Sequence, residues 1–495
     1  MPQKFQNFIN GKWVDAKSGR VFENRNPANW EEVIGTFPKS GKEDVDEAVK
    51  AARAAFEKWR LVPAPARSDI MRKIGDLMAK RKEDLAREMT REMGKVLAET
   101  RGDVQEGIDT AYYAAGEGRR LFGRTVPSEL PNKFAMAIRV PIGVAGVITP
   151  WNFPMAIPTW KIFPAVLSGN TVVFKPAQDT PKTATTLVEI MMESGIPEGV
   201  VNIVHGGGGE VGTAIVSHPD VDLISFTGST LVGKQISREA SETLKRVSLE
   251  LGGKNAQIVM DDADLDLALD GVLWGAFGTT GQRCTATSRL IVHEKVYDKF
   301  MSMLVDRTKK LRLGDGLKEG TDVGPCVNES QRSTVQSYVE IGKSEGAKLV
   351  AGGAVAKSDG LSKGWFHEPT IFGDVTPTMR IAKEEIFGPV LSVLKAKSLE
   401  DAIQTLNNTI YGLSSSVYTR DVNKAFAAMR DIKAGITYIN ASTIGAEAHL
   451  PFGGVKQTGN GHREGGWTVY DFFTEWKTVY VDYSGKLQRA QIDNY

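Results

Sequence analysis

Short apolar runs rich in β-branched residues alternate with helical stretches in the chain from about residue 144 onward. The runs recur roughly every 25 residues, which is the spacing of strand–helix–strand units. They span residues 144–148, 171–174, 200–204, 223–226 and 247–251. This pattern predicts a parallel sheet covered by helices, and such sheets bind ligands at the carboxyl ends of their strands.

The segments around this sheet carry other local signals. Asn10-Gly11 between short apolar runs is typical of a hairpin turn, and Ser40 begins a segment that matches a capping box. Apolar residues recur at helical spacing in 45–59 and 70–85, where we predict packing helices without chemistry.

Three signals follow later in the chain. Thr180-Pro181 predicts the start of a helix, with Thr180 as N-cap, and Gly195 predicts its end. Residues 252–451 again mix strands and helices. The stretch 470–483 is typical of a late strand and is a candidate for pairing outside its own domain.

Length, charge and cysteine content narrow the possible functions. A chain of 495 residues is long enough for roughly two to four domains. Its 61 basic and 60 acidic residues leave a net charge of +1, so nucleic acid and membrane surfaces are poor candidate partners. Two cysteines cannot form a disulfide framework, and no apolar run approaches the ~20 residues of a membrane helix. We therefore expect a soluble, cytoplasmic protein.

A glycine run suggests a nucleotide site but does not establish one. Gly207, Gly209 and Gly212 match the G-x-G-x-x-G pattern of a pyrophosphate turn. They follow the third strand of the series rather than the first, and four adjacent glycines match such a pattern easily, so a tight turn is favoured. The turn 226–230 also leads from a strand into a helix, whose amides and Ser229 hydroxyl could hold a phosphate.

Cys284 is a candidate nucleophile. It lies in a polar, glycine-containing segment beside Arg283, and a neighbouring cation or local amides favour a thiolate. An ordinary unreactive cysteine is the alternative. Cys326 has no such neighbours and is predicted to be structural. None of the six histidines lies in a recognisable Cys/His signature, so a general base must be another residue.

Three polar residues stand at the ends of predicted strands. Glu250 closes the last strand of the series and is a candidate base; a salt-bridged glutamate is the alternative. Asn152 lies between Pro150 and Pro154 after the first strand, and its amide can donate to an oxyanion; an ordinary proline-rich turn is the alternative. Lys175 ends the second strand, where cofactor riboses are often bound, with a solvated lysine as the alternative.

Six segments in order resemble the NAD(P)-dependent aldehyde dehydrogenases across essentially the full length of the chain. The segments are Pro-Trp-Asn-Phe-Pro at 150–154, Phe-Thr-Gly-Ser-Thr at 226–230, Leu-Glu-Leu-Gly-Gly-Lys at 249–254, Gly-Gln-Arg-Cys at 281–284, Glu-Ile-Phe-Gly-Pro at 385–389 and Pro-Phe-Gly-Gly at 451–454. Their order and spacing make the resemblance very specific.

The resemblance implies an α/β fold in three parts. A Rossmann-like, parallel-sheet cofactor domain would be formed by residues 1–117 and 141–251. A second α/β catalytic domain, residues 252–451, would carry the thiol. A small β oligomerisation element, residues 118–140 and 465–495, would give homodimers or dimers of dimers.

The resemblance also implies a mechanism without a metal. Cys284 would attack the aldehyde carbonyl, and the Asn152 side chain and the Cys284 backbone N–H would hold the oxyanion. Hydride transfer to the nicotinamide would leave a thioester, and Glu250 would then activate water to release the acid.

For NAD or NADP, the resemblance implies a constellation of strand-end and loop residues. Lys175 and Gln178 would contact the adenosine ribose, Ser229 the pyrophosphate, Glu385 the nicotinamide ribose and Phe387 its ring. The full set is Ile148, Thr149, Pro150, Trp151, Lys175, Gln178, Gly208, Gly212, Phe226, Gly228, Ser229, Val232, Leu251, Glu385 and Phe387.

Two features of the sequence qualify this cofactor prediction. The family places Gly208 and Gly212 along the adenine, which argues against a pyrophosphate turn in the glycine run. Many NAD-specific members carry glutamate where this chain has Gln178. A carboxylate repels a 2′-phosphate and a neutral amide does not, so we predict appreciable use of NADP and leave the preference for NAD open.

The substrate is predicted from a few positions. Phe153, Trp160 and Phe452 match the apolar lining of the family's aldehyde tunnel, and residues 443–447 resemble members that oxidise semialdehydes. We therefore expect a semialdehyde, such as 2-oxoglutarate semialdehyde.

The second carboxylate of such a substrate needs a cation, for which Arg119, Arg120 and Arg283 are candidates. A general aliphatic or aromatic aldehyde dehydrogenase is the alternative. A CoA-acylating enzyme typically lacks the base, so Glu250 counts against it. A thiol hydrolase or acyltransferase would leave the cofactor residues without a role, and the intact Cys284, Glu250 and Asn152 count against a binding protein that has lost activity.

Overall fold

The computed structural model describes residues 2–358 and 360–492. The strands, in chain order, are β1 Gln3–Lys4, β2 Asn7–Ile9, β3 Lys12–Val14, β4 Val21–Asn26, β5 Asn29–Pro38, β6 Arg124–Pro127, β7 Lys133–Pro141, β8 Val144–Ile148, β9 Thr171–Lys175, β10 Val201–Ile203, β11 Leu223–Thr227, β12 Arg246–Glu250, β13 Asn255–Val259, β14 Thr287–His293, β15 Lys348–Ala351, β16 Thr370–Gly373, β17 Val390–Ala396, β18 Ser414–Tyr418, β19 Ile436–Ile439 and β20 Thr474–Asp482.

The α-helices are α1 Lys42–Trp59, α2 Ala64–Lys80, α3 Lys82–Met93, α4 Leu97–Glu117, α5 Ala156–Ser168, α6 Pro181–Glu193, α7 Thr213–Ser217, α8 Thr230–Ser241, α9 Leu265–Phe277, α10 Glu294–Thr308, α11 Glu329–Ser344, α12 Arg380–Lys383, α13 Leu399–Asn407, α14 Val422–Asp431 and α15 Val469–Phe473. No helix in the described part of the chain is both long enough and apolar enough to cross a membrane.

The first large sheet has the strand order β12-β11-β8-β9-β10-β2-β3. The five strands from β12 to β10 are parallel, and the hairpin β2-β3 adds an antiparallel edge. Helices α2 to α6 pack on one face and α1, α7 and α8 on the other. The predicted α/β class with a parallel, helix-covered first sheet is confirmed.

The register of this sheet fixes which side chains meet at its carboxyl edge. Ile148 at the end of β8 is paired with Lys175 at the end of β9. Thr227 at the end of β11 is paired with Glu250 at the end of β12. Because parallel strands end at the same edge, residues far apart in the sequence become neighbours there.

Two local predictions in the first half of the chain have different outcomes. The Asn10-Gly11 turn is confirmed, since both residues have the positive φ values, 50° and 78°, that a tight hairpin turn requires. Ser40 as the N-cap of α1 is wrong. The N-cap is Gly41, whose N–H donates to the Asp44 carboxylate at 3.0 Å, while the Ser40 hydroxyl accepts from the Asn7 amide.

Helix α6 is capped from another helix. Thr180 stands at the predicted N-cap position, but its side chain makes no capping hydrogen bond. The carboxylate of Glu92 on α3 instead accepts from the N–H groups of Lys182 and Thr183, at 2.6 and 2.8 Å. Burial raises the pKa of this carboxyl to about 8. A long-range contact has therefore replaced the local cap.

The second large sheet has the order β15-β16-β17-β14-β13-β18-β19 and is parallel except at β15. Helices α11 to α14 cover one face, and α9 and α10 the other. Cys326 is fully buried in the core beneath α11, as expected of a structural cysteine, and burial raises its thiol pKa to about 12.

Two three-stranded sheets complete the fold. One has the order β1-β5-β4, and the other has the order β20-β7-β6. The predicted late strand is β20, which pairs antiparallel along its whole length with β7, from Thr474 opposite Pro141 to Asp482 opposite Lys133. Helix α15, just before β20, packs in the core of the first sheet.

Candidate active site

A cavity of about 740 Å³ lies where the carboxyl edge of the first sheet meets the second sheet. Thr227, Glu250 and Leu251 reach it from the first sheet, and Cys284 and Thr285 from the loop before β14. Seven of the residues singled out in the sequence line it together: Phe153, Trp160, Glu250, Leu251, Arg283, Cys284 and Phe452. Asn152 is buried directly beside Phe153.

The loop that carries Cys284 is a strained turn held by long-range hydrogen bonds. Thr279 and Thr280 have positive φ values of 53° and 57°, a conformation that costs energy for residues with a branched side chain. The Thr279 N–H donates to the Glu99 carboxylate at 2.7 Å, and the Thr280 hydroxyl donates to the Gly324 carbonyl at 2.9 Å. These bonds offset the strain and hold the turn that leads to Cys284.

The Cys284 thiol is protonated at neutral pH. Burial and the charges of Glu250 and Glu385 raise its pKa to about 12, against a smaller lowering effect of the Thr285 backbone N–H. The expectation that Arg283 favours the thiolate is wrong, because the Arg283 guanidinium turns toward Glu99, at 3.3 Å. A cation bound beside the thiol would lower this pKa.

Glu250 carries a buried carboxyl group whose oxygens are free of hydrogen bonds from the described residues. It is only 3% exposed, and neither carboxylate oxygen has a hydrogen-bond partner among the described residues. Burial first, and then the charge of Glu464, raise its pKa well above the usual range, although Lys161 lowers it. In its ionised form, a carboxylate with free oxygens and a raised pKa is suited to accept a proton from water.

Sequence reasoning missed three charged residues around these groups. Lys161 on α5 is fully buried, forms an ion pair with Glu464 and donates to the Ser225 hydroxyl at 3.1 Å. Glu99 on α4 binds both the Thr279 N–H and Arg283. A lysine within an otherwise apolar helix was a usable signal for Lys161. Glu464 and Glu99 carry no local signal, since their partners are more than 150 residues away.

Aromatic side chains form the apolar part of the cavity. The rings of Trp160 and Phe452 meet edge to face, with centroids 4.8 Å apart. The Phe153 ring lies between two cations, with the Lys95 Nζ 3.9 Å and the Arg283 Cζ 5.2 Å from its centroid. The wall therefore combines apolar surface with one cation, Arg283, that lines the cavity.

The three candidate arginines differ in whether they line the cavity. Arg283 lines the cavity, and so do three residues of the segment 443–447: Gly445, Ala446 and Glu447. Arg119 and Arg120 do not belong to this lining, and Arg120 pairs with Glu117 at 2.6 Å. Both follow the end of α4, so the cavity lining favours Arg283 among the three candidates.

A second group of predicted residues gathers at the edge formed by β8, β9 and β10. Lys175 is buried, its Nζ donates to the Pro176 carbonyl at 2.7 Å, and burial lowers its pKa to about 8. A side chain built on Gly207 would begin 3.6 Å from the Gln178 Oε1, whereas Gly208 faces open space. The glycine run forms a π-helical turn over Gly208–Gly212, so it leaves a side-chain-free surface next to Lys175 and Gln178.

The start of α8 forms the next part of this group. Ser229 is the N-cap, and its hydroxyl accepts from the Val232 N–H at 3.3 Å. Gly228 is required here, since an added Cβ would lie 2.4 Å from the Phe226 ring. The other N–H groups of the first turn remain suited to an anion.

Glu385 and Phe387 reach the same region from the second sheet. The Glu385 carboxylate accepts from the Gly253 N–H at 2.9 Å, and burial raises its pKa to about 7. Phe387, with φ of 57°, contacts Trp151 edge to face at 5.4 Å. A side-chain-free surface, a helix start, a buried carboxylate and an aromatic pair together fit a dinucleotide cofactor.

Comparison with known proteins agrees with this geometry. The model of the family described as "Aldehyde dehydrogenase family" matches residues 13–479. The chain is 44% identical over 477 residues to an alpha-ketoglutaric semialdehyde dehydrogenase of Bacillus subtilis, covering 96% of this chain and 98% of that protein. It is 45% identical over 484 residues to aldehyde dehydrogenase 1A1 of Rattus norvegicus, covering 97% and 95%.

A solved structure is also similar over nearly the whole chain. Betaine aldehyde dehydrogenase from Staphylococcus aureus, solved in complex with NAD+, superposes with a TM-score of 0.95 at 37% identity. The match covers 97% of this chain and 95% of that one.

Proposed function

Because the chain belongs to the aldehyde dehydrogenase family, we propose that its cavity oxidises a semialdehyde through a thioester on Cys284. The protein is an oxidoreductase that converts an aldehyde to the carboxylic acid with NAD or NADP, as the sequence predicted. The observation that carries the residue assignment is that Cys284 and Glu250 line one cavity with an aromatic wall.

The first half-reaction builds a covalent intermediate on the thiol. The Cys284 Sγ forms a bond to the aldehyde carbon, and the thiol proton leaves to solvent. The Asn152 amide and the Cys284 backbone N–H stabilise the resulting oxyanion. The bound nicotinamide supplies a two-electron acceptor for the hydride of this carbon. The product held on Cys284 is then a thioester.

The second half-reaction releases the acid. Glu250 takes a proton from water, whose oxygen forms a bond to the thioester carbon. The bond from this carbon to Sγ breaks, and the sulfur recovers a proton. The free oxygens and the buried setting of Glu250 support its role as the base. The presence of this base also argues against a CoA-acylating enzyme.

Cofactor contacts follow from the second group of residues. Lys175, Gln178 and the open surface at Gly208 support binding of the adenosine half. Ser229 and the first turn of α8 support binding of the pyrophosphate, with Ile148 at the end of β8, and Thr149 and Pro150 just after it, nearby. Glu385, Phe387 and Trp151 support binding of the nicotinamide half.

The preferred substrate is a semialdehyde such as 2-oxoglutarate semialdehyde. The B. subtilis relative is named for this activity. Arg283 lines the cavity and, at the side-chain level, is only 12% exposed, where an arginine binds a carboxylate strongly. The guanidinium would exchange part of its interaction with Glu99 for the carboxylate of the substrate.

Replacing Arg283 with methionine is expected to lower kcat/KM for the semialdehyde relative to a neutral aldehyde of equal length by about tenfold or more. The measurement is the ratio of the two kcat/KM values, so a general loss of activity cancels. Arg120→Met, which changes an arginine outside the cavity, is the matched control. An unchanged ratio in Arg283→Met would exclude this residue as the carboxylate receptor.

A broad-specificity aldehyde dehydrogenase is the second candidate. Glu106, Asp109 and Glu447 also line the cavity and disfavour an anionic substrate. The rat relative, an aldehyde dehydrogenase 1A1, is as similar to this chain as the semialdehyde enzyme. A panel of aliphatic, aromatic and carboxylated aldehydes, tested with NAD and NADP separately, distinguishes the two candidates by the rank order of kcat/KM.

Gln178 is expected to permit NADP. In this position a neutral amide does not repel a 2′-phosphate, and Lys175 is close by as a cation. Gln178→Glu is expected to lower kcat/KM with NADP by about tenfold or more and to change kcat/KM with NAD by less than about threefold. Gln178→Asn, which keeps the amide, is the control. Rejection of NADP by the unmodified enzyme would contradict the prediction.

The assembly is a homodimer or a dimer of dimers. One face of the β20-β7-β6 sheet exposes Trp476 and Tyr480, and the opposite face exposes Phe134 and Val481, which supports burial against a second copy. The oligomerisation element would comprise residues 118–140 and 465–495, beside a cofactor domain and a catalytic domain with the boundaries given above. A cytoplasmic location is part of the same proposal.

A further inference from the structure

Lys254 is a buried charged residue that the mechanism above does not use. It lies just beyond the last strand of the first sheet, after Gly252 and Gly253, and is about 1% exposed. Its Nζ has no hydrogen-bond partner among the described residues. Burying an ammonium without a partner is strongly unfavourable, so a nearby negative charge is needed to offset it.

The surroundings of Lys254 fix its backbone and leave little space around its side chain. The Arg289 guanidinium donates twice to the Lys254 carbonyl, from Nε at 3.0 Å and from Nη2 at 2.7 Å. Lys254, Arg289 and Tyr411 line a cavity of about 10 Å³, which is room for roughly one water molecule. The backbone of Lys254 is therefore held in place, and its ammonium is buried and not solvated from the surface.

The negative charge comes from Glu385, which rests on the residues just before Lys254. Its Oε1 accepts from the Gly253 N–H at 2.9 Å. Its Oε2 lies 2.2 Å from where a Cβ on Gly252 would be, so only glycine leaves room for it. The two glycines thus bring the carboxylate against the backbone immediately before Lys254.

The two charges act on each other. Burial raises the pKa of Glu385 to about 7, and Lys254 opposes this rise. Burial lowers the pKa of Lys254 to about 7, and Glu385 opposes that fall. At neutral pH each group is therefore close to losing its charge, and each stabilises the charged form of the other.

We propose that Lys254 is a positioning residue for the cofactor: its buried ammonium keeps the Glu385 carboxylate ionised, so that this carboxylate can accept hydrogen bonds from the hydroxyls of the nicotinamide-side ribose. The inference rests on the role proposed above for Glu385. Ribose hydroxyls donate best to an ionised carboxylate, which has no proton of its own and accepts at both oxygens. Lys254 thus acts through Glu385 and without touching the cofactor.

Other titratable groups face the pair and set the conditions of the test. Arg289 on β14 lowers the pKa of Lys254, and Glu384 raises it. Tyr411 and Cys284 have their own pKa values raised, with Glu385 among the causes, so both stay neutral as the pH rises through the neutral range. Lys175, a proposed cofactor contact whose pKa burial lowers to about 8, titrates in the same range but is unchanged in the variants. The difference in pH dependence between a variant and the unmodified enzyme therefore reports on Glu385 and Lys254.

The experiment measures the Kd of the reduced cofactor by its fluorescence, without aldehyde, from about pH 6 to about pH 9. Removing the ammonium raises the pKa of Glu385, so for a rise of one pKa unit Lys254→Met is expected to weaken binding about tenfold near pH 6 and about fivefold near pH 7. The difference shrinks at higher pH, where Glu385 ionises without help. A loss of the same factor at every pH would indicate a purely structural role and overturn the proposal.

A double-mutant cycle gives the second criterion. In a Glu385→Gln background the carboxylate is gone, so Lys254→Met is expected to change the Kd by less than about twofold. If Lys254→Met weakens cofactor binding equally in both backgrounds, the proposed role of Lys254 is overturned, while that of Glu385 is not. An unchanged Kd in the single variant Glu385→Gln would instead show that the proposed cofactor role of Glu385 is wrong, and the inference falls with it. If Lys254→Met does not fold, as judged by thermal unfolding, Lys254→Gln is measured in the same cycle against the same two criteria.

Discussion

Replacing Cys284 with alanine is expected to lower the rate of aldehyde-dependent cofactor reduction by at least about 10⁴-fold, since no covalent intermediate can then form. The cofactor Kd is expected to stay within about threefold of that of the unmodified enzyme, because the residues proposed to bind the dinucleotide are unchanged. The measurements are steady-state formation of the reduced nicotinamide and a separate titration of cofactor binding. Together they distinguish loss of the nucleophile from loss of the fold.

The second cysteine provides a matched control. Cys326 is fully buried in the core beneath α11, with its thiol protonated, and lies outside the cavity lining. Cys326→Ala is expected to lower the thermal stability slightly and to leave kcat within about threefold. If Cys284→Ala kept a substantial part of the activity, the thioester mechanism would be wrong, and hydride would have to leave a hydrated aldehyde directly.

The second large effect is expected at Glu250. In Glu250→Gln the thioester can still form, but no base remains to activate water. We expect a burst of reduced cofactor of about one equivalent per active site, followed by turnover slowed at least about 10²-fold. Stopped-flow measurement of the burst and trapping of the acylated protein by mass spectrometry distinguish slow release from slow acylation. A loss of the burst together with the turnover would place Glu250 in the first half-reaction.

The rate at which the acid is released from Cys284 is expected to increase with pH. Burial and the neighbouring Glu464 raise the pKa of Glu250 well above the usual carboxyl range. The protonated form cannot accept a proton, so the release rate is expected to rise with pH as Glu250 ionises and to level off above its pKa. Glu250→Gln removes this rise. Glu294→Gln, a change at an exposed glutamate on α10, is expected to preserve it.

The sequence alone predicted much of the fold because the signals are local. Alternation of apolar runs with helical stretches identified β8 to β12, with boundaries within a residue or two. The hairpin turn at Asn10 followed from its residue types. Capping was predicted less well, since Gly41 replaced Ser40, and Glu92 on another helix bound the amides of α6. Nearby and distant acceptors compete for the free N–H groups at the start of a helix, and only the nearby acceptors can be identified from the sequence.

In the candidate site, too, local signals identified some residues, and the position of others depended on the fold. Residues at strand ends, such as Glu250 and Lys175, were found because parallel strands end at one edge. Their chemical roles stay predictions. The sequence did not separate Arg283 from Arg119 and Arg120, because only the fold shows which of them lines the cavity.

The sequence by itself determined the fold class, the family and the residue types at the reactive positions, because these follow from periodicity, turn chemistry and motif order. Only the tertiary structure decided the ionisation state of these groups. Glu99 draws Arg283 away from the thiol, Glu464 adds its charge near Glu250, and burial raises the pKa of Cys284 to about 12. The physical reason is that desolvation and charge pairing depend on distances in space between residues that are far apart along the chain.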